Sequence, residues 1–135
     1  MATSIKKLAK QVVKAAKEHG FVVQRYDAYS TQSVYLKLDY GVSKSIRISN
    51  HAGKKHLAYR YNLLTDIEES YYTQHGTCQR NFYCHEDVQI LINDIVRHRQ
   101  AQIERYGRES YDRLMEKNKR DNENAKGFWQ QAKLV

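Results

Sequence analysis

Proline is absent from this chain of 135 residues, cysteine occurs twice and glycine six times. Without proline, a common marker of linkers and domain boundaries is missing, and 135 residues suffice for one domain with a single core. Two cysteines, Cys78 and Cys84, cannot build a disulfide framework, so a reducing cytosol is the expected compartment. No apolar run approaches the roughly 20 residues needed to cross a bilayer, and Met1-Ala2-Thr3-Ser4-Ile5-Lys6-Lys7 lacks the apolar stretch and cleavage site of a signal peptide. A membrane partner is therefore not expected. Also missing are a Gly-rich phosphate loop, a nucleophile elbow and a His-Glu-x-x-His run, and with them the usual grounds for expecting an enzyme.

What the chain has is positive charge and tyrosine. Lys and Arg number 23 against 15 Asp and Glu, a formal net charge of +8, and there are eleven Tyr beside three Phe and one Trp. Tyrosine suits half-buried sheet faces and binding surfaces alike. The charge is uneven. Residues 1–20 carry +4, residues 21–96 balance, and residues 97–135 carry another +4. Within the balanced middle, Lys44, Arg47, Lys54, Lys55 and Arg60 precede an acidic stretch of Asp66, Glu68, Glu69, Glu86, Asp87 and Asp94. One uniformly basic face is not implied.

Hydrophobic periodicity predicts an α+β fold: an N-terminal helix, a four- to five-stranded, mainly antiparallel sheet and two C-terminal helices, with helices covering one sheet face. After a cap at Thr3 or Ser4, Ile5, Leu8, Ala9, Val12, Val13 and Ala16 form a helical stripe, and His19-Gly20 closes it. Lys6, Lys7, Lys10, Lys14 and Lys17 fall mostly on the opposite side. The period then becomes two. Residues 21–26 read as a first strand; Val34, Leu36, Leu38 and Tyr40 alternate with Tyr35, Lys37 and Asp39; Ile46 and Ile48 alternate with Ser45, Arg47 and Ser49; Leu57, Tyr59, Tyr61 and Leu63 alternate with Ala58, Arg60 and Asn62. These strands are expected to pair as antiparallel sequence neighbours. Residues 65–74 are ambiguous, and a further strand is expected over 78–83. His85-Glu86-Asp87 opens a helix whose stripe is Val88, Leu91, Ile92, Ile95, Val96 and Ile103. Gly107 interrupts it, and Ser110 is placed to cap a last helix with a polar centre at residues 117–124. The expected organisation is one domain over 1–107 and a helical extension over 108–135. Leu114, Met115, Phe128 and Trp129 exceed what one small core needs, which makes the extension a candidate homodimer contact.

Lys44-Ser45-Ile46-Arg47-Ile48-Ser49-Asn50-His51, then Lys55-His56-Leu57-Ala58-Tyr59-Arg60-Tyr61-Asn62, and later Asn81-Phe82-Tyr83 leading into Glu86-Asp87-Val88, together resemble small proteins encoded by phages and mobile elements of Gram-positive bacteria. Several of these carry a similar strand pair ending in Arg-Ile-Ser-Asp/Asn-His, and some are type II anti-CRISPR proteins that inhibit RNA-guided nucleases. The resemblance covers roughly residues 34 to 96. It implies an inhibitor acting in the host cell cytoplasm, without catalysis, on an RNA-guided nuclease or its guide RNA. As a turn motif, Asn50-His51 equally reads as a strand end tied down by side-chain to backbone hydrogen bonds.

Two constellations give the candidate site residues. The partner-binding set is Arg47 and Arg60 on the strands, Lys54 and Lys55 in the loop, and Lys10, Lys14 and Lys17 on the first helix. Burying the Leu57/Tyr59/Tyr61/Leu63 face under the helices leaves Arg47 and Arg60 outward, with Lys37 and Lys44 nearby. Such basic side chains interleaved with Tyr also suit phosphate contacts and base stacking, hence the alternative of a basic nucleic-acid-binding phage accessory protein. The second set is His75, Cys78, Cys84 and His85, whose thiolates and imidazoles are the ligand types of a zinc site and allow a small zinc-stabilised binding module; otherwise no cofactor is expected. In one extended strand, however, Cys78 and Cys84 stand roughly 20 Å apart, so convergence requires residues 78–84 to be a hairpin or a neighbouring strand to supply His51 or His56.

Overall fold

A computed structural model describes residues 4–28, 32–50, 61–65, 71–75, 78–123 and 132–135, with side chains of residues 71–80 excepted. The fold is α+β. The elements run α1 (Ile5–Glu18), β1 (Val23–Asp27), β2 (Val34–Leu38), a 3-10 turn (Asp39–Gly41), β3 (Ser45–Ser49), β4 (Tyr61–Leu64), β5 (Tyr71–His75), β6 (Cys78–Cys84), a 3-10 turn (His85–Asp87), α2 (Val88–Tyr106), α3 (Arg108–Glu123) and β7 (Lys133–Leu134). They form one mixed sheet in the order β5-β6-β4-β3-β2-β1-β7.

The strands expected over 45–49 and 78–83 are present and the one expected over 34–40 ends at Leu38, where Asp39–Gly41 turn instead; among the described residues the sheet has seven strands rather than four or five, and their pairing differs in sense. β1, β2 and β3 form an antiparallel meander, with Leu36 opposite both Arg25 and Ile46. β3 and β4 run parallel, with Ile48 beside Leu63, and β4 and β6 are again parallel, with Leu63 beside Tyr83. Alternation of period two is identical for a strand running either way, so it cannot report direction. The ambiguous stretch contributes β5, antiparallel to β6 at the sheet edge.

The register assembles one apolar face from Val23, Val34, Leu36, Leu38, Ile46, Ile48, Tyr61, Leu63 and Tyr83, all buried. α1 packs on it over β1, β2 and β3, and α2 over β4 and β6. The stripe of α1 is buried through Ile5, Leu8, Ala9, Val12 and Ala16; that of α2 through Leu91, Ile92 and Ile95. Ser4 caps α1, its Oγ accepting from the Lys7 amide at 3.4 Å. Each of these large side chains contributes about 1.5–3 kcal/mol through burial.

The sheet is not open on its other side. Gln24, Arg47, Ser49, Asn62, Leu64, Phe82 and Cys84 point away from α1 and α2 and are also buried. α3 reaches one corner of this face, where Lys37 Nζ donates to Asn122 Oδ1 at 2.8 Å. Burial pushes the Lys37 ammonium below its ordinary pKa.

Three buried tyrosines tie the layers together, because a buried phenol needs a partner for its hydroxyl. Tyr83 donates to Asp94 Oδ2 at 2.8 Å, and Tyr61 Oη lies 2.6 Å from His98 Nδ1, both partners being on α2. The third case ties down α3. Tyr111, the one buried residue described for α3, donates its hydroxyl to Asp39 Oδ2 and takes a hydrogen bond from Ser43 Oγ at 2.6 Å. The other Asp39 oxygen accepts from the Val22 amide at 2.8 Å, and Arg99 Nη1 stands 3.7 Å from Oδ2. Asp39 therefore joins α3, α2 and the start of β1. Burial first, and then the Asp39 carboxylate, hold the Tyr111 phenol well above its ordinary pKa.

The C-terminal region differs from the expected helical extension in two respects. Ser110 lies inside α3, which starts directly after Gly107, and residues 133–134 pair with β1 as a strand rather than continuing a helix. Gly107 makes the junction because its φ of 90° is accessible to glycine at little cost. No described helix is long and apolar enough to cross a membrane.

Candidate basic interface

α1 needs one face for the core, and its sequence leaves the rest to lysine. Lys10, Lys14 and Lys17, at i, i+4 and i+7, share one side and are all exposed. They span about 10 Å along the helix at 1.5 Å per residue. None of the three has a carboxylate partner among the described residues. Like charges at this spacing destabilise a helix by about 0.2–0.5 kcal/mol per pair, so the row carries a repulsion that an anionic partner would relieve.

The row forms one wall of a groove of about 580 Å³. Val13 and the Val135 side chain supply an apolar lining, Glu18 contributes a side-chain carboxylate, and Arg25 comes in from β1. Arg25 is held by Asp27, with Nε to Oδ1 at 2.7 Å and Nη2 to Oδ2 at 3.2 Å. That fork fixes the guanidinium in place, and pairing offsets its charge. The groove thus offers three free ammonium groups, one oriented guanidinium and a small apolar lining. This arrangement is complementary in charge to an extended anionic chain or an acidic surface.

The other expected binding residues fare differently. Arg47 lies on the face opposite α1 and α2, as the alternation predicts, yet is 2% exposed, with Nη2 donating to Ser49 Oγ at 2.9 Å. The outward, solvent-facing Arg47 is therefore corrected: a strand pattern says which face a residue takes, not whether that face is covered. Lys37 is half-buried for the same reason, while Lys44 is exposed. Lys54, Lys55 and Arg60 lie outside the described residues, as do His51, His56, Tyr59, Phe128 and Trp129. Leu114 is 43% exposed on α3, so one of the apolar residues expected at a dimer contact does face outward.

For the tentative zinc set, β6 runs as a single strand over Cys78–Cys84, and His75 pairs with Cys78 across the β5–β6 ladder. His75 and Cys78 thus stand at one end of β6, with Cys84 and His85 at the other, so residues 78–84 do not form the hairpin that would bring the four together, while the route through His51 or His56 lies outside the described residues. Cys84 is buried and donates its thiol to Asp87 Oδ2 at 3.0 Å. Burial, followed by that hydrogen bond, pushes the thiol pKa up, away from the thiolate a metal needs. His85 Nε2 lies 3.9 Å from Glu86 Oε1. Among the described residues, no three His, Cys, Asp or Glu side chains gather in a metal-binding group.

Sequence reasoning missed Arg25, which joins the lysine row only because β1 lies beside α1. It also missed Asp39, Tyr111 and His98, whose partners are 72 and 37 residues away for the Tyr111–Asp39 and His98–Tyr61 contacts. Compared with known proteins, the chain matches no protein-family model, no curated protein and no solved structure.

Proposed function

We propose that the protein is a binding inhibitor of a bacterial RNA-guided nuclease complex, acting by occupation of a required surface rather than by catalysis. The observation that carries this reading is the unpaired row Lys10, Lys14 and Lys17 along a groove that Arg25 also lines. Such a row is complementary to the phosphates of a guide RNA held by the nuclease, and Val13 and Val135 add apolar contact. The resemblance of residues 34–96 to anti-CRISPR proteins supports the choice of target. Inhibition of this kind asks for affinity and shape alone, with a few charged anchors carrying most of the binding energy.

The test is a cleavage assay with type II nucleases loaded with guide RNA, paired with binding to the complex and to the guide alone. The expected result is inhibition that weakens when Lys10, Lys14 and Lys17 are replaced by Glu. Tight binding to bare RNA without inhibition would replace this reading by that of a nucleic-acid-binding accessory protein. No binding to either would dispose of both.

A further inference from the structure

A second concave site is lined by none of the groove residues. It is a cleft of about 400 Å³ between α2 and the turn leading from β2 to β3. That volume falls within the range of small-molecule sites, which starts near 300 Å³. Three cations line it, Lys44 from the turn and Arg99 and Arg105 from α2, and no carboxylate is among its lining residues.

The three cations have different standing. Arg99 is built in: its guanidinium lies 3.7 Å from the centroid of the Phe21 ring, and Nη2 donates to the His19 carbonyl at 2.6 Å. Nη1 faces the buried Asp39, which offsets part of its charge. Lys44 and Arg105 are exposed and have no carboxylate partner among the described residues. Between them lie the Tyr61 hydroxyl, paired with His98, and the Gln102 amide. At the rim, Tyr106 is 61% exposed beside the Arg105 guanidinium, 5.3 Å from its ring centroid. Cations without acidic neighbours recognise phosphate, and an exposed aromatic ring next to arginine is a stacking surface for a planar base.

The turn fixes where Lys44 stands. Asp39, Tyr40 and Lys44 all adopt positive φ, at 50°, 56° and 71°. Left-handed backbone costs a non-glycine residue roughly 1 kcal/mol or more, and such strain gathers where ligands are held. At Asp39 the cost is repaid by the hydrogen bonds described above. At Lys44 the turn's own backbone holds the conformation, its amide donating to the Gly41 carbonyl at 3.0 Å and its carbonyl accepting from the Leu38 amide at 3.0 Å, and the residue so placed lines the cleft.

We infer that this cleft binds a phosphate group borne on a compact, base-containing ligand, with Lys44 and Arg105 as the recruiting cations and Arg99 as the fixed one. The phosphate comes either from a free mononucleotide or from a nucleotide within a single strand.

The experiment is an NMR titration of the full chain, first with inorganic phosphate, then with adenosine monophosphate, then with a short single-stranded RNA. Saturable shifts of the Ser43, Lys44, His98 and Arg105 amides are expected. The Lys44→Gly, Arg105→Ala variant should weaken binding by roughly tenfold or more. Glycine accepts the Lys44 backbone without strain, so the melting temperature should hold, which separates loss of a ligand contact from loss of fold. Saturation by adenosine monophosphate identifies a free nucleotide as the source; response to the RNA alone identifies a strand. Absence of saturable shifts with all three probes would overturn the inference, as would unchanged binding by the double variant. Lys10, Lys14 and Lys17 replaced by Glu should leave the cleft titration with adenosine monophosphate unchanged, so failure of the groove and failure of the cleft are read separately.

Discussion

α1 and α3 are both lysine- and arginine-rich amphipathic helices, and they spend their charge in opposite ways. α1 has five Lys and a single Glu, whereas α3 has five basic and five acidic residues. In α3 the charges pair along the helix, Arg108 with Asp112 at 3.1 Å and Lys117 with Asp121 at 3.0 Å, all four well exposed. α1 offers its lysines no such partners and buries five side chains; α3 buries one. A self-neutralised helix satisfies itself in water. A helix firmly anchored by its core face while holding like charges side by side keeps an unneutralised surface, which is the ground for the proposed partner contact. The difference also relocates the C-terminal positive excess, which belongs to the residues around α3, Arg97, Arg99 and Arg105 of α2 among them, and not to α3.

The largest effect should come from removing what docks α3. Asp39→Ala strips partners from the Tyr111 hydroxyl, the Val22 amide and Arg99, and should cost about 3–5 kcal/mol in denaturant unfolding. A loss under about 1 kcal/mol would mean that α3 is held by other contacts.

If the proposed function holds, charge reversal of Lys10, Lys14 and Lys17 to Glu should cost about a hundredfold in affinity for the proposed nuclease complex, or about 2.7 kcal/mol, with steep salt dependence in the unmodified protein. Its unfolding free energy should hold, since these side chains are exposed. An equal affinity loss from Lys117→Glu on α3 would erase the distinction between the two helices.

Tyr111→Phe keeps the ring and removes only the hydroxyl, so a cost of about 1–3 kcal/mol is expected from unfolding curves at neutral pH. Its pH dependence carries a sign. The phenol pKa is raised in the folded state, so its contribution is fully present below the unfolded value of about 10 and is lost as pH rises through the higher folded value. The stability difference between the unmodified protein and Tyr111→Phe should therefore shrink above about pH 10; a difference that stays constant would show that the phenol does not titrate with folding. The smallest change is Lys117→Ala, which breaks one exposed helical pair and should cost about 0.3–0.5 kcal/mol, with partner binding untouched.

Much of this architecture is legible in residue spacing. The stripe from Ile5 to Ala16, the alternation through Leu36 and Ile46, and the stripe from Leu91 to Ile95 each report local geometry, and all three are buried as their periods require. The same local rules place Lys10, Lys14 and Lys17 on one side of α1. They stop at contacts between elements. Nothing in the alternation around Ile48 and Leu63 distinguishes parallel from antiparallel pairing, and nothing around Arg47 tells that its face is covered.

The sequence by itself determined the α+β fold class, the helices α1 and α2, the strands β2, β3 and β6 and the basic row of α1, because these follow from side-chain periodicity and charge along a few turns of chain. The tertiary structure alone decided that Arg25 lines the same groove as that row, that Asp39 joins three elements, and that Lys44, Arg99 and Arg105 share one cleft. Such groups are brought together by packing and strand order, for which a single chain carries no local signal.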